Sequence, residues 1–122
     1  MNYSISISDN GKYIIVKILD SVTSELARLF SEDAKNLGNE KGIDRFLFDV
    51  RQSPNINSVL RNYIYVYSDM EKLELSKTAR SAILTNPDDE SHDFIETLSK
   101  SAGYNVRLFN NEKLAIDWLE SE

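Results

Sequence analysis

The sequence predicts an α/β domain in which a mixed five-stranded sheet, begun by an N-terminal β-hairpin, packs against four helices. Three observations indicate this class. The chain opens with two short apolar segments separated by a turn signal, the pattern of a hairpin. Helical and strand periodicities then alternate along the chain. The segment Arg45 to Val50 is apolar on both faces, which is typical of a central parallel strand.

The first three strands and the helix between them follow from local signals. Tyr3 to Ser8 alternates apolar and polar residues, Asp9-Asn10-Gly11 forms a turn, and Lys12 to Leu19 is the second strand. Thr23 caps a helix that we expect to end at Gly38. Helical spacing is shared by Leu26, Leu29, Phe30, Asp33 and Leu37.

Two sequence signals conflict in the segment of the second helix. The segment Asn62 to Tyr67 is rich in β-branched and aromatic residues, which favours a strand. An uninterrupted 3.6-residue spacing from Ser58 to Leu73 nevertheless predicts a helix, capped by Asn57 or Ser58. The residues on this spacing are Val59, Tyr63, Val66, Met70 and Leu73. Of these, we expect Val59, Val66, Met70 and Leu73 to pack on the sheet.

The C-terminal part repeats the strand–helix alternation. Ala79 to Thr85 and Tyr104 to Phe109 are the fourth and fifth strands. The helix between them should be capped by Asp88 or Asp89, bury Phe94, Ile95 and Leu98, and end at Ala102-Gly103. A last helix should be capped by Asn110 or Asn111 and carry an apolar stripe of Leu114, Ala115, Trp118 and Leu119.

Length and composition limit the function classes. We expect one domain, residues 1–122, in the cytoplasm, because there is no signal-like N-terminus, membrane-length apolar run or cysteine. Twenty acidic against 14 basic residues give a net charge of −6. Such a charge argues against binding to nucleic acid or anionic lipid.

No pattern of residues predicts catalysis. Asp49 at a strand end lacks the acidic pair and lysine of a phosphoacceptor site, and is expected to hydrogen-bond the following loop. His92 lies among Asp88, Asp89, Glu90 and Asp93, whose placement the helix dipole already explains. We therefore expect a protein that is not an enzyme and has no cofactor and no metal site.

We predict that the functional site lies at the junction after the third strand. A buried strand runs into a polar loop, Arg51 to Ser58, and then into a helix more apolar than its sheet contact requires. The expected partner or ligand is a protein or a small apolar molecule, and a homo-oligomer is also compatible with the sequence. The expected binding surface comprises Arg51, Asn55, Asn57, Ser58, Arg61, Tyr65 and Asp69.

Several segments resemble the STAS domain, and more closely its SpoIIAA-like family. They are LFDV (47–50), RQSPNINSV (51–59), NPDDESHDFIET (86–97), AGYNVRLF (102–109) and AIDWL (115–119). The resemblance spans nearly the whole chain. It implies a regulatory protein-interaction module whose partner is a kinase or an anti-sigma-type regulator. Some SpoIIAA-like proteins also resemble lipid carriers, which implies a small apolar ligand as the alternative.

The resemblance also implies a phosphorylation site at Ser58. In anti-sigma factor antagonists the corresponding helix begins with an Asp-Ser-Ser-Gly-like sequence whose serine is phosphorylated. Here Asn57 stands for the aspartate, and Val59 and Leu60 stand for the second serine and the glycine. The residues alone favour a different role for Ser58, that of a helix N-cap. The two roles predict different effects of substitution.

Overall fold

The computed structural model describes residues 2–122 and contains one five-stranded mixed sheet. The spatial order of the strands follows the chain, β1-β2-β3-β4-β5, with β1 antiparallel to β2 and all other neighbours parallel. The predicted hairpin and mixed sheet are confirmed. The strands are β1 (Tyr3–Ile7), β2 (Ile14–Ile18), β3 (Arg45–Asp49), β4 (Arg80–Leu84) and β5 (Asn105–Phe109).

Four helices accompany the sheet, as predicted. They are α1 (Ser24–Lys41), α2 (residues 59–72), α3 (Asp93–Ser101) and α4 (Glu112–Glu120). Helix α2 consists of an α-helical start, Val59–Ile64, a π-helical turn, Tyr65–Asp69, and a final turn, Met70–Lys72. Within residues 2–122, none of these helices has the length and apolar character needed to cross a membrane.

The helices divide unequally between the two faces of the sheet. The three crossovers run in the same direction along the sheet, so crossovers of one hand place α1, α2 and α3 on one face. The main core lies there, with Val16, Phe30 and Val66 in one cluster. Within residues 2–122, α4 is the one helix on the other face, where Leu47 and Leu119 belong to a second, smaller cluster.

Helix α1 is longer than expected because Gly38 lies inside it. Thr23 is the N-cap, as predicted, and accepts a hydrogen bond from the Leu26 N–H at 3.1 Å. The helix passes Gly38 and ends at Gly42, whose φ of 68° is left-handed. A Cβ at Gly38 would lie 2.6 Å from the Ile43 carbonyl oxygen. Gly38 is therefore needed for close packing, and the prediction that it ends the helix is wrong.

Helix α2 forms where predicted, but it buries a different face. Val66 and Met70 are buried as expected, whereas Val59 is 68% exposed and Tyr63 is 52% exposed. The Met70 N–H donates to the carbonyl of Tyr65, five residues back. Such a π turn aligns residues five apart, so a uniform 3.6-residue spacing places the apolar residues incorrectly.

The two C-terminal helices differ from expectation at their starts and on their surfaces. Helix α3 begins at Asp93 with His92 at the N-cap position, not at Asp88 or Asp89. Asn111 caps α4, as predicted, and accepts from the Leu114 N–H at 3.1 Å. Phe94 and Leu114, expected to be buried, are exposed, because apolar residues at the margin of a helix need not reach the sheet.

Candidate functional site

The β3 junction is held by an ion pair between Asp49 and Arg51. Asp49 accepts hydrogen bonds from the Arg51 side chain at 3.0 and 2.8 Å and from its backbone N–H at 3.2 Å. Burial alone would raise the pKa of the Asp49 carboxyl, but the hydrogen bonds and charge of Arg51 outweigh burial and lower it. The predicted role of Asp49 as a hydrogen-bonding partner of the loop is confirmed.

The loop after β3 is tied to neighbouring elements. The Val22 N–H donates to the Pro54 carbonyl at 2.8 Å, and the Ser53 hydroxyl donates to the Ile18 carbonyl at 2.8 Å. On its other side, the Asn55 N–H donates to the Ser91 hydroxyl at 2.8 Å. The loop is therefore fixed between the start of α1 and the β4–α3 connection.

His92 anchors the same loop from inside the protein. Its side chain is buried, and its Nε2 lies 2.8 Å from the Ser53 carbonyl oxygen. Because a carbonyl only accepts hydrogen bonds, this nitrogen carries the proton. Burial lowers the pKa of His92 despite the opposing effects of Ser53 and of Asp89 and Asp93. His92 is therefore a neutral imidazole whose hydrogen bond to Ser53 holds the loop.

Ser58 is the N-cap of α2. Its hydroxyl accepts from the Arg61 N–H at 3.2 Å, and its backbone is extended, as an N-cap requires. The side chain is exposed at the start of the helix. The capping role is thus confirmed, and phosphorylation of Ser58 stays a prediction.

An apolar surface covers the outside of α2. We call it the outer α2 face. Its tyrosines, Tyr63 and Tyr67, pack with ring centroids 4.7 Å apart. Exposed Arg61 lies on the same helix. The apolar members, all exposed, are Ile56, Val59, Leu60, Tyr63, Ile64 and Tyr67.

The residues predicted for the binding surface do not all lie on it. Asn55 and Asn57 are half-buried, and Arg51 is exposed but paired with Asp49. Asp69 is half-buried and bridges to Arg28 at 3.2 Å. Of the seven predicted residues, Ser58 and Arg61 are exposed beside the outer α2 face.

Tyr65 was expected on the exposed side, and this prediction is wrong. The π turn directs its side chain inward, where its hydroxyl lies 2.9 Å from the Ser31 hydroxyl and 3.3 Å from the Ala27 carbonyl. Burial is the main cause that raises the pKa of Tyr65 to about 12. Tyr65 is therefore a neutral core residue that joins α2 to α1.

A cavity of about 120 Å³ lies between the helix layer and the sheet, beneath α2. Apolar side chains from the sheet and helices form most of its wall, including Phe30, Phe48, Met70, Ile83 and Val106. Its polar lining includes Asn55, Asn57, Asn62 and His92, from the loop after β3, the start of α2 and the start of α3. A second cavity of about 100 Å³ adjoins it and shares Ser31, Phe48, Met70, Leu75, Ser81 and Val106.

This cavity adjoins the predicted binding surface, because its lining includes Asn55, Asn57 and Tyr65, but it lies beneath α2 and not on its exposed side. In open α/β sheets, ligands bind outside the strand ends where the strand order reverses. Here the order follows the chain without reversal, so the sheet has no such switch point. A cleft at the carboxyl ends of β2 and β3 is nevertheless lined by Lys17, Asp49 and Arg51. The mostly apolar cavity lies under the helices instead.

Comparison with known proteins adds no identification. No protein-family model matches the sequence. No curated protein matches it at a significant level. Within residues 2–122, no three His, Cys, Asp or Glu side chains are grouped so that they could hold a metal ion.

Two features of the site had no usable signal in the sequence. Asn62 is buried within α2, although asparagine is usually exposed in a helix. The π turn is set by backbone hydrogen bonds that have no residue code. An Asn in the middle of an apolar helical run was the available hint, but the regular spacing assigned Tyr63 to that face.

Proposed function

We propose that this chain is a non-enzymatic regulatory module of the SpoIIAA-like/STAS type, which binds a protein partner through the outer α2 face and the adjoining loop. The strand order, the hairpin and the four helices are compatible with that family. The partner would be a kinase or an anti-sigma-type regulator.

The exposure of large apolar side chains on α2 carries this proposal. Leu60 is 66% exposed, and its exposed apolar neighbours on the outer α2 face form a row one helix wide. Contiguous apolar patches of this kind mark interaction surfaces on soluble proteins. The rigid attachment of the preceding loop, through Val22 and Ser91, means that a partner would meet a preformed surface.

Site-specific photo-crosslinking tests the location. A photoreactive residue at Leu60 should give a discrete adduct in cells, whereas one at Leu114 should not. Leu114 is the matched control, because it is a leucine on another helix with a similar exposure of 57%. Adding Tyr63→Asp should abolish the adduct at Leu60. The same substitution should leave the thermal midpoint of the protein unchanged, which shows that the fold is intact.

Two outcomes would contradict the proposal. One is an adduct from Leu114 alone or equally from both positions. The other is an adduct at Leu60 that is insensitive to Tyr63→Asp. An adduct with twice the mass of the chain would show that the partner at this surface is a second copy of the same chain.

The cavity supports a second candidate function, a carrier or sensor of a small apolar ligand. Its wall is mostly apolar and has few polar groups, which is the usual character of a ligand site. Organic extraction of the purified protein, followed by mass spectrometry, should release a stoichiometric small molecule. An extract identical to that of a Ser81→Leu variant, whose added side chain fills the space, would contradict this function.

A further inference from the structure

We infer that the cavity beneath α2 binds an uncharged, mostly apolar molecule of about single-ring size, and that Asn62 selects ligands with a hydrogen-bond acceptor. This inference rests on the second candidate function, the carrier or sensor, and specifies its ligand. It is independent of the outer α2 face.

The lining is electrically neutral. None of the residues that line the cavity is Lys, Arg, Asp or Glu. The two lining groups that titrate, Tyr65 and His92, are both held neutral by burial, which raises the pKa of the first and lowers that of the second. A charged ligand would lose its hydration without gaining a counter-charge, so charged molecules are excluded.

Asn62 presents an unused donor to this space. The residue is 5% exposed, and its Oδ1 accepts from the Asn55 Nδ2 at 2.9 Å. Its own Nδ2 donates to no acceptor in residues 2–122. Every buried polar atom that is sealed from accessible space in this part of the chain has a partner. The Asn62 Nδ2 therefore borders accessible space, and Asn62 is one of the residues that line the cavity.

The other polar groups near Asn62 are mostly occupied. Asn55 Oδ1 accepts from the Asn57 N–H at 2.9 Å, Asn57 Oδ1 accepts from the Ser24 N–H at 3.1 Å, and His92 is bonded to Ser53. Ser99, 3% exposed, is the other lining residue at this depth whose side chain lacks a partner among the described residues. Asn57 Nδ2 also lacks an acceptor among residues 2–122, but Asn57 is only half-buried, so Asn62 is the more deeply buried of the two free amide donors.

The size of the cavity limits the ligand. An engineered apolar cavity of about 150 Å³ in another protein stays dry and binds benzene. The present cavity of about 120 Å³ is slightly smaller, and the adjoining one of about 100 Å³ allows an extension toward the amino ends of the strands. A single ring fits this space. The unpaired amide distinguishes it from a purely apolar void.

Three probes of matched shape test the inference on the full chain by amide chemical-shift titration. They are cyclohexanone, methylcyclohexane and cyclohexanecarboxylate. Cyclohexanone and methylcyclohexane should both give saturable shifts at lining residues of α2 and β4. Cyclohexanone should bind about tenfold more tightly, because its oxygen pairs with the Asn62 amide. The carboxylate should give no saturable shift.

Variants assign the preference to Asn62. In Asn62→Leu, methylcyclohexane should still bind, and the preference for cyclohexanone should vanish. Asn36→Leu, at an exposed position of α1 outside both cavities, is the matched control and should keep the preference. If Asn62→Leu does not fold, the two neutral probes on the unmodified chain decide the question.

The outcomes separate the inference from the carrier function. Equal affinities for the two neutral probes would overturn the role of Asn62 and leave an apolar ligand site. Tighter binding of the carboxylate would overturn the inference that the ligand is uncharged. If neither neutral probe binds up to its solubility limit, the cavity holds water only, and the carrier function falls together with the inference.

Discussion

At the scale of single residues, Ser58 has a defined structural role that limits how a phosphoswitch could work. Its hydroxyl accepts from the Arg61 N–H at the start of α2, so phosphorylation would replace one acceptor by a dianion at the positive end of the helix. The helix would remain capped, and the added negative charge would lie beside the outer α2 face.

Substitutions at Ser58 should therefore separate capping from binding. Ser58→Ala should lower the free energy of unfolding by about 1 kcal/mol, whereas Ser58→Asp should change it by less than about 1 kcal/mol, since aspartate also caps well. Urea denaturation measures both. Ser58→Asp should nevertheless weaken the Leu60 adduct in the crosslinking experiment. An undiminished adduct would rule out a phosphoswitch at Ser58 but would still support the interaction surface.

His92 makes the loop after β3 sensitive to acid. Burial lowers its pKa in the folded protein below the unfolded value of about 6.5. As pH falls, the unfolded chain takes up the proton first, so the stabilising contribution is complete above about pH 6.5 and is lost below it. The neighbouring Asp89 and Asp93 oppose the shift but do not cancel it.

A histidine titration checks this directly, since the chain has one histidine. The imidazole resonance of the folded protein should titrate below about pH 6.5, and the free energy of unfolding should fall between pH 7 and the folded pKa. His92→Gln should remove that part of the pH dependence. A folded pKa above the unfolded value would contradict the burial argument.

At the scale of elements, α2 has two sides of different character. Its inner side carries Asn62, Tyr65, Val66 and Met70 against the cavity and the core, while its outer side is apolar and exposed. The π turn between the two α-helical parts allows Tyr65 and Met70 to face inward together. A ligand in the cavity, as we infer, would therefore contact the same helix that carries the outer α2 face.

Proline substitution tests whether this segment is one continuous helix. Val66→Pro should cost about 3 kcal/mol or more, because proline removes a backbone hydrogen bond and clashes with the preceding turn. Val59→Pro is the matched control. Val59 is the first residue of the helix and follows an extended Ser58, so proline should be tolerated there within about 1 kcal/mol. Equal costs at both positions, measured by urea denaturation, would contradict a continuous helix.

At the scale of the whole molecule, one face of the sheet depends on α4 alone. Arg45 and Arg80, which lie opposite each other on β3 and β4, both donate to carbonyls at the end of α4. These contacts place two like charges at the negative end of the helix, where cations are favourable. Leu119, fully buried, fixes the helix on the sheet.

Truncation of two leucines in α4 tests this dependence. Leu119→Ala should lower the free energy of unfolding by about 2–5 kcal/mol, because a buried side chain is replaced by a cavity. Leu114→Ala, on the exposed side of the same helix, should change it by less than about 0.5 kcal/mol. Thermal or urea denaturation gives both values. Similar losses at the two positions would show that α4 packs differently.

Local signals in the sequence determined the number, type and order of the strands and helices, and several of their ends. Thr23, Ser58 and Asn111 cap helices as their side chains predict, because capping needs only neighbouring backbone N–H groups. The alternation of strands and helices likewise implied the mixed sheet.

The tertiary structure decided the length of α1, the inward position of Tyr65 and the formation of the cavity. Gly38 lies inside α1 because Ile43 and Phe46 approach its backbone, and Tyr65 faces inward because of the π turn. The cavity needs α1, α2, α3 and the sheet together, so no single stretch of residues encodes it. Periodicity assumes one regular helix and says nothing of distant neighbours, which is why it placed Tyr65 on the outside and missed Asn62.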